Sequence, residues 1–490
     1  MSLINVSNLT FGYEGSYDLV FDGVSFQLDT DWRLGLTGRN GRGKTTLLRL
    51  LLGQLDVGGT ISSSVQFEYF PPTVEDESLT ALAVAEALCP GLELWAIERE
   101  LSLLGLSPAV LEQPFGLLSH GERTKVLLAA LFLRSNAFLL IDEPTNHLDL
   151  AARELVSAYL RRKSGFILVS HDRAFLDGCV DHIMAIGRQD IRIQQGNFSS
   201  WWHNKALEDA HELAENDRLR KDVKRLKRSA RRTAQWSDKL EGSKIGSHTA
   251  DRGAVGAQAA RMMKRSKAIE RRRESAATEK AALLKNLETA EPLKLHPLPY
   301  HKKLLLRLED VSLGYSGRTV ARGISFAVET GDRVALQGPN GSGKSSILKL
   351  LTGGDAAMAV SGTVTLGSGL VISHVLQSAD GLTGRLRDYA ETCDVDESLL
   401  LAILRKLDFS RTQFEKDLSA LSQGQKKKVL LARSLCEQAH LYVWDEPLNY
   451  IDVLSRMQIE QLILDFEPTL LFVEHDRAFC DAVATKRVAL

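Results

Sequence analysis

Short apolar runs recur along the chain, each stopping at a glycine-rich or acidic stretch. LGLT (34–37) and VALQ (334–337) have the length of buried strands, and each leads through glycines into an apolar helical run, LLRLLL (47–52) and ILKLLT (347–352). FLLID (138–142) and LYVWD (441–445) predict a second matched pair of buried strands, while SHGE (119–122) and SQGQ (422–425) each open a helical stretch. The same order of elements therefore appears twice, and strand–loop–helix alternation predicts an α/β fold in each half. Between the halves the pattern changes. Leu219, Val223, Leu226, Ala230 and Thr233 step by four and three, and Met262, Ile269, Ala276 and Leu283 recur at every seventh position, which are narrow coiled-coil seams. Residues 237–258 hold four glycines and no period, as a turn or extended tip does. The spacing predicts an antiparallel helical hairpin, whose helices of about 35 residues project it roughly 50 Å. The boundaries expected are 1–200 for the first domain, 201–303 for the linking hairpin with its tip at about 237–258, and 304–490 for the second domain.

Charge makes that middle segment unusual. The chain has 61 basic and 62 acidic residues, a formal net charge of −1. Residues 218–273 hold 19 basic and 5 acidic positions, a net of +14, which leaves −15 for the rest. A solvated spacer normally mixes its signs, so this segment predicts a polyanionic partner. A rod with an irregular tip suits folded RNA, read by shape, phosphate and splayed bases, better than a duplex. Trp236, near the tip, is placed to stack on a base or on another apolar surface. The longest apolar runs, such as VLLAALFL (126–133), fall short of the roughly 20 residues a membrane-spanning helix needs. The N-terminus lacks a basic stretch followed by an apolar run, so no signal peptide is expected. The five cysteines are scattered and without metal-ligand spacing, which predicts free thiols in a reducing cytoplasm.

The chemistry sits where the strands stop. GRNGRGKTT begins at Gly38 and GPNGSGKSS at Gly338, and both fit G-x-x-x-x-G-K-[ST]. Glycines at 38, 41 and 43, and at 338, 341 and 343, let backbone N–H groups curl around phosphate at a helix N-terminus. Lys44 and Lys344 are expected to reach the terminal phosphates, and Thr45 and Ser345 to ligate Mg²⁺. Asn40 and Thr46, with Asn340 and Ser346, complete the loops. Asp142 and Asp445 suit Mg²⁺ or its water, and Glu143 and Glu446 suit polarising an attacking water. Ser119 precedes Asp142 by the same interval at which Ser422 precedes Asp445. His171 and His475 follow Glu143 and Glu446 at nearly matched intervals, and suit sensing of the γ-phosphate. Tyr13 and Tyr315, in FGY and LGY at similar distances before their loops, suit stacking on adenine.

In this order the motifs resemble the ATP-binding-cassette ATPases, twice over, and EPTNHLD (143–149) is similar to the ABC-F branch. The resemblance implies two tandem P-loop cassettes joined by a basic helical linker, with ATP and Mg²⁺ as cofactors. It also implies that Ser and Gly of each signature close over the other cassette's nucleotide. One site then joins Lys44, Asp142, Glu143 and His171 to Ser422 and Gly424; the other joins Lys344, Asp445, Glu446 and His475 to Ser119 and Gly121. Hydrolysis would release the halves of a monomer whose cassettes pair with each other. The long linker resembles that of the antibiotic-resistance members, especially the lincosamide, streptogramin A and pleuromutilin group. That likeness implies docking in the bacterial ribosome's exit site, beside large-subunit rRNA and the peptidyl or initiator tRNA. Two short intervals fit the placement: neither Pro72 to Ser119 nor Gln377 to Ser422 leaves room for a large extra arm. The chain ends at Leu490, shortly beyond His475, so no C-terminal extension is expected.

Some positions depart from the family pattern. His120 and Gln423 replace the first signature glycine. Gln377 fits the expected nucleotide- and metal-contacting glutamine, but Pro72 stands in its place in the first half and has no side-chain carbonyl. EPLNYID (446–452) differs from EPTNHLD. Two unequal ATP sites are therefore expected. A housekeeping translation factor, the paired ATPase of a membrane transporter and a DNA-repair ATPase remain open at this point.

Overall fold

A computed structural model of the chain describes residues 2–13, 19–146, 148–187, 190–242, 264, 268, 272, 293–315, 318–354, 358–379 and 381–490. It divides into two compact units, Met1–Trp201 with Ala290–Leu490, and Trp202–Thr289.

The first unit contains both cassettes. In the first cassette a parallel sheet runs Gln66–Phe70, Ala137–Asp142, Phe166–Val169, Arg33–Thr37 and His182–Ile186, closed by antiparallel Ile191–Gln195. In the second, five parallel strands follow the same order: Ile372–Val375, Leu441–Asp445, Leu470–Val473, Arg333–Gln337 and Lys486–Ala489. Each cassette adds a three-stranded antiparallel sheet, around Leu3–Phe11 and Leu304–Tyr315 respectively. The central strands are apolar between their ends because both faces are covered, as in parallel sheets generally. Leu34, Leu36, Leu140 and Ile167 pack with Leu47, Leu48 and Leu51 of the helix Lys44–Leu51.

This topology positions the chemistry. The strand bearing the histidine lies between the phosphate-loop strand and the acidic strand, with Leu36 and Asp142 both paired to Val169. Three loops therefore leave adjacent parallel strands at their C-terminal ends, where open α/β sheets bind ligands.

Two expected boundaries shift. Leu293 and Leu295 are buried in the core that includes Leu400, Leu404 and Trp444. Residues 293–303 thus belong to the second cassette rather than to a linker. The helix Phe198–Gly242 runs for 45 residues, about 67 Å at 1.5 Å per residue, and continues six residues into the segment expected as the tip. Ser237–Gly242 contains one glycine, at its last position, so nothing in it forces an earlier stop. The remaining tip, 243–258, and most of the expected returning helix lie outside the described residues. Within it, Lys264, Ala268 and Arg272 are helical and exposed. No helix among the described residues is long and apolar enough to cross a membrane.

Candidate nucleotide sites

The first phosphate loop turns at Gly41 and Gly43, with φ of 83° and 90°. This left-handed backbone is open to glycine at little cost. At Gly43 a Cβ would also meet Val20 Cγ1 at 2.6 Å. Lys44 Nζ folds over the loop, 2.8 Å from the Gly38 carbonyl, 3.2 Å from that of Arg39 and 3.3 Å from Asn40 Oδ1. Burial lowers its pKa, opposed by Asp452, Glu143 and Asp142. Thr45 Oγ1 donates to Asp142 Oδ2 at 3.2 Å. The Tyr13 hydroxyl is 2.9 Å from Thr46 Oγ1, and its half-exposed ring meets Phe11 edge-on.

A cleft of about 450 Å³ gathers Tyr13, Asn40, Gly41, Gly43, Lys44, Thr45, Thr46, Asp142, Glu143 and His171 with Ser422 and Gly424 of the second cassette. The cross-cassette pairing implied by the resemblance is thus present as geometry here. Ser422 N-caps the helix Gln423–Cys436 in a capping box with Gln425. Asn40 Nδ2 donates to the Tyr450 carbonyl at 3.0 Å. Gly424 makes room for that contact: a Cβ there would stand 2.5 Å from the Tyr450 carbonyl oxygen. Overpacking of this kind costs about 1–3 kcal/mol, so Gly424→Ala is expected to raise the ATP concentration for half-maximal turnover about tenfold.

Glu143 sits at φ 50°, and its Oε1, 3.3 Å from His171 Nε2, is buried with no hydrogen-bond partner. Burial, then the Asp142 charge, push the Glu143 carboxyl up to about 8. Burial and Lys44 hold His171 well below the ordinary histidine range, so its ring is neutral.

The second site repeats this frame with different supports. Lys344 Nζ lies 2.8 Å from the Gly338 carbonyl and 2.8 Å from that of Pro339. Gly341 and Gly343 have φ of 82° and 89°. Ser345 hydrogen-bonds Asp445, and Ser346 is half-buried on the same helix. Gln377 Nε2 donates to Glu446 Oε1 at 3.0 Å, and Asn449 Nδ2 to Glu446 Oε2 at 2.5 Å. His475 Nε2 is 3.5 Å from Glu446 Oε1. Burial alone would raise the Glu446 carboxyl, but His475, Gln377 and Lys427 outweigh it and hold it at about 2. Tyr315 ends its strand half-buried beside Met358, and Asn340 is exposed at the loop. From the first cassette, the Asp149 charge acts on the Lys344 ammonium. Ser119 N-caps His120–Phe132 in a box with Glu122, and Gly121 lies where a Cβ would be 3.5 Å from Leu148.

Strand register fixes the equivalence of Pro72 and Gln377. Phe70 pairs with Ile141, just before Asp142, and Val375 with Trp444, just before Asp445. In the first cassette the Tyr69 hydroxyl donates to Asp142 Oδ2 at 3.0 Å. Sequence reasoning missed Tyr69, and it missed Asp408, Phe409, Gln413, Gln425, Lys428 and Tyr450, which line the first cleft. It also missed Lys427, buried against the carbonyls of Leu376, Gln377 and Asp445 at 2.7, 3.0 and 3.1 Å. The signals available were weak: one aromatic beside the acidic strand, and a triple-lysine run in the signature helix.

Two phosphate loops, each beside an Asp–Glu pair and a histidine, with one cleft completed by the opposite half, define a paired-cassette ATP hydrolase. The ABC transporter family model matches residues 21–146 and 321–449. The chain is 30% identical to the ATP-binding protein Uup of Caulobacter vibrioides over 490 residues, 96% of this chain and 74% of that one. It is 26% identical to the ribosome protection protein VmlR of Bacillus subtilis over 501 residues, 100% of this chain and 86% of that one. Among solved structures, an archaeal ribosome recycling factor aABCE1, in complex with stalk protein aP1, aligns with a TM-score of 0.64 at 19% identity, covering 98% of this chain and 87% of that one; this likeness concerns the fold. The chain belongs to the ABC transporter family, as a two-cassette ATP hydrolase of its ABC-F branch.

Proposed function

We propose that this protein is a cytoplasmic, monomeric ATPase that docks in the exit site of the bacterial ribosome. There it protects the peptidyl-transferase centre from lincosamides, streptogramin A and pleuromutilins. The observation carrying this reading is that one chain joins a nucleotide cleft shared between its cassettes to a segment of net charge +14 over residues 218–273. The likeness to VmlR, a ribosome protection protein, supports it. In this reading the cassettes close on ATP and the basic linker enters an RNA cavity. Its tip then displaces drug directly or by moving the nearby tRNA and rRNA. Loss of the γ-phosphate contacts made by one cassette's loop and the other's signature then opens the pair, a two-state switch.

In each site the lysine and glycine-loop amides hold the phosphates, the histidine senses the γ-phosphate, and Glu143 or Glu446 accepts a proton from the attacking water. The donors suit Mg²⁺: Asp445 Oδ1 is buried with no hydrogen-bond partner, and burial raises both Asp142 and Asp445, the latter to about 6. A divalent cation reverses that penalty. Thr45 with Asp142, and Ser345, Gln377 and Asp445, would hold it, and the chemistry it would supply is neutralisation of phosphate charge.

The test sediments the Glu143→Gln/Glu446→Gln variant with bacterial ribosomes, with and without ATP, at two salt concentrations. ATP-dependent co-sedimentation that weakens with salt is expected. Deleting 237–258 should abolish drug protection in cells while leaving ATPase intact. Absence of binding with either nucleotide state would sink the ribosomal reading. Binding without any change in a drug-susceptibility panel would assign a housekeeping translation role instead.

A further inference from the structure

We propose that the two nucleotide sites divide the labour: the site around Lys344 sets the rate of turnover, and the site around Lys44 holds its nucleotide and keeps the cassettes together. This division rests on reading Glu143 and Glu446 as the two bases, and it goes further by ranking them.

Four matched positions separate the sites. The first is the base itself. Both oxygens of Glu446 are oriented, by Gln377 Nε2 at 3.0 Å and Asn449 Nδ2 at 2.5 Å, whereas Glu143 Oε1 is buried with no hydrogen-bond partner. An oriented carboxylate is prepared for an attacking water, and one with an unpartnered oxygen must be positioned at the moment of reaction. The second is Gln377 against Pro72, which offers neither amide nor carbonyl from its side chain.

The third is Lys427. Its ammonium spends three hydrogen bonds on the Leu376, Gln377 and Asp445 carbonyls, tying the glutamine segment to the end of the acidic strand. The matched residue in the first cassette is Thr124, five positions after Ser119 as Lys427 is after Ser422. Threonine cannot span to three carbonyls. Lys427 is therefore a positioning residue, acting through Gln377 and Asp445.

The fourth lies on the holding side. Arg39 Nη1, in the first phosphate loop, is 3.2 Å from Asp408 Oδ1 of the second cassette. Asp408 has φ 65°, and its counterpart Gly105, at the same offset before its own signature serine, has φ 68°. The second cassette thus carries a carboxylate at a position whose backbone suits glycine, and that carboxylate reaches across to the first loop. At the other site the matched residues are Pro339 and Gly105, which cannot form an ion pair. Arg42 against Ser342 adds a further cation to the first loop alone. More positive charge and a cross-cassette ion pair both favour long retention of a polyphosphate.

The experiment compares steady-state phosphate release and the chase of a fluorescent ATP analogue in the full chain. Glu446→Gln is expected to lose at least tenfold more turnover than Glu143→Gln, since removing a base costs about 10²–10⁴-fold at the site it serves. Lys427→Thr should lower turnover and raise the Mg²⁺ concentration needed for half-maximal rate, a readout that simple loosening of the fold would not move. In the Glu143→Gln/Glu446→Gln background the chase should show a slow and a fast phase. Asp408→Gly, which suits its backbone and so folds, should speed the slow phase only. Equal losses in the two single variants, or a slow phase unchanged by Asp408→Gly, would overturn the division while leaving both bases in place. Unchanged turnover in both single variants and in their combination would overturn the assignment of the bases, and the division with it.

Discussion

Replacing both Glu143 and Glu446 by glutamine is expected to slow ATP hydrolysis by about 10²–10⁴-fold while the nucleotide still binds. The binding groups are elsewhere: Lys44 and Lys344 hydrogen-bond their own loop carbonyls rather than either glutamate. Glutamine matches the size of glutamate and tolerates the same left-handed backbone, φ 50° at Glu143 and 45° at Glu446, no worse than the native residue. It cannot accept a proton, so it removes the step that turns water into a nucleophile. One local cost falls on the second site. Gln377 and Asn449 both donate to Glu446, and a glutamine there offers one acceptor oxygen and one amide nitrogen, so one of the two donors loses its partner. Phosphate release and binding of a fluorescent ATP analogue, measured together, check the expectation. Turnover within threefold of the native protein, with intact binding, would remove both carboxylates from the chemistry.

The residues legible beforehand share one property: each lies a fixed distance from a strand end that repeats. Lys44, Asp142, Glu143 and His171, like Lys344, Asp445, Glu446 and His475, sit at the C-terminal ends of three adjacent parallel strands, and apolar runs mark where those strands stop. What escaped depends on pairings the chain does not advertise. Tyr69 reaches Asp142 only because Gln66–Phe70 lies beside the acidic strand, at a sheet edge far from it in sequence. Asp408 meets Arg39 because two cassettes face each other, and neither neighbour in sequence hints at it. The run Lys426–Lys428 reads as a solvated helix face, yet all three side chains are buried. The ammonium groups of Lys427 and Lys428 face carbonyls and a carboxylate inside the second cassette, and helix periodicity alone cannot reveal that. The Thr145–Ser170 hydroxyl pair of the first cassette shows the same limit. Its counterpart is Leu448 with Glu474, whose carboxylate accepts from the Leu448 and His475 backbone amides at 2.7 and 2.9 Å. The altered EPLN sequence is thus compensated from a different strand.

Lys428→Met is expected to destabilise the second cassette by about 3–5 kcal/mol, the usual cost of stranding one member of a buried ion pair. Lys428 Nζ lies 2.9 Å from Asp452 Oδ2 and 2.7 Å from the Leu407 carbonyl, with the two side chains 5% and 1% exposed. Asp452 also caps the helix Val453–Phe466 through the Ser455 amide at 3.0 Å. Burial by itself would raise the Asp452 carboxyl, but the Lys428 charge and hydrogen bond, with the Ser455 amide, hold it below the usual carboxylate range. A carboxyl lowered by folding contributes stability above its unfolded value, about 3.9, and that stability is lost as pH falls through the folded value. In Lys428→Met the unpaired carboxyl instead prefers its proton, so the variant regains stability as pH drops. The gap between native and variant melting should therefore be widest near neutral pH and narrow on acidification through 4. Adding Asp452→Asn removes the stranded charge and keeps a capping oxygen, so the double variant should recover most of the loss. Thermal unfolding of the full chain at pH 7 and pH 4 provides the measurement. A double variant no more stable than Lys428→Met, or a gap independent of pH, would show that Lys428 stabilises the cassette through its carbonyl contact and packing rather than through the Asp452 charge.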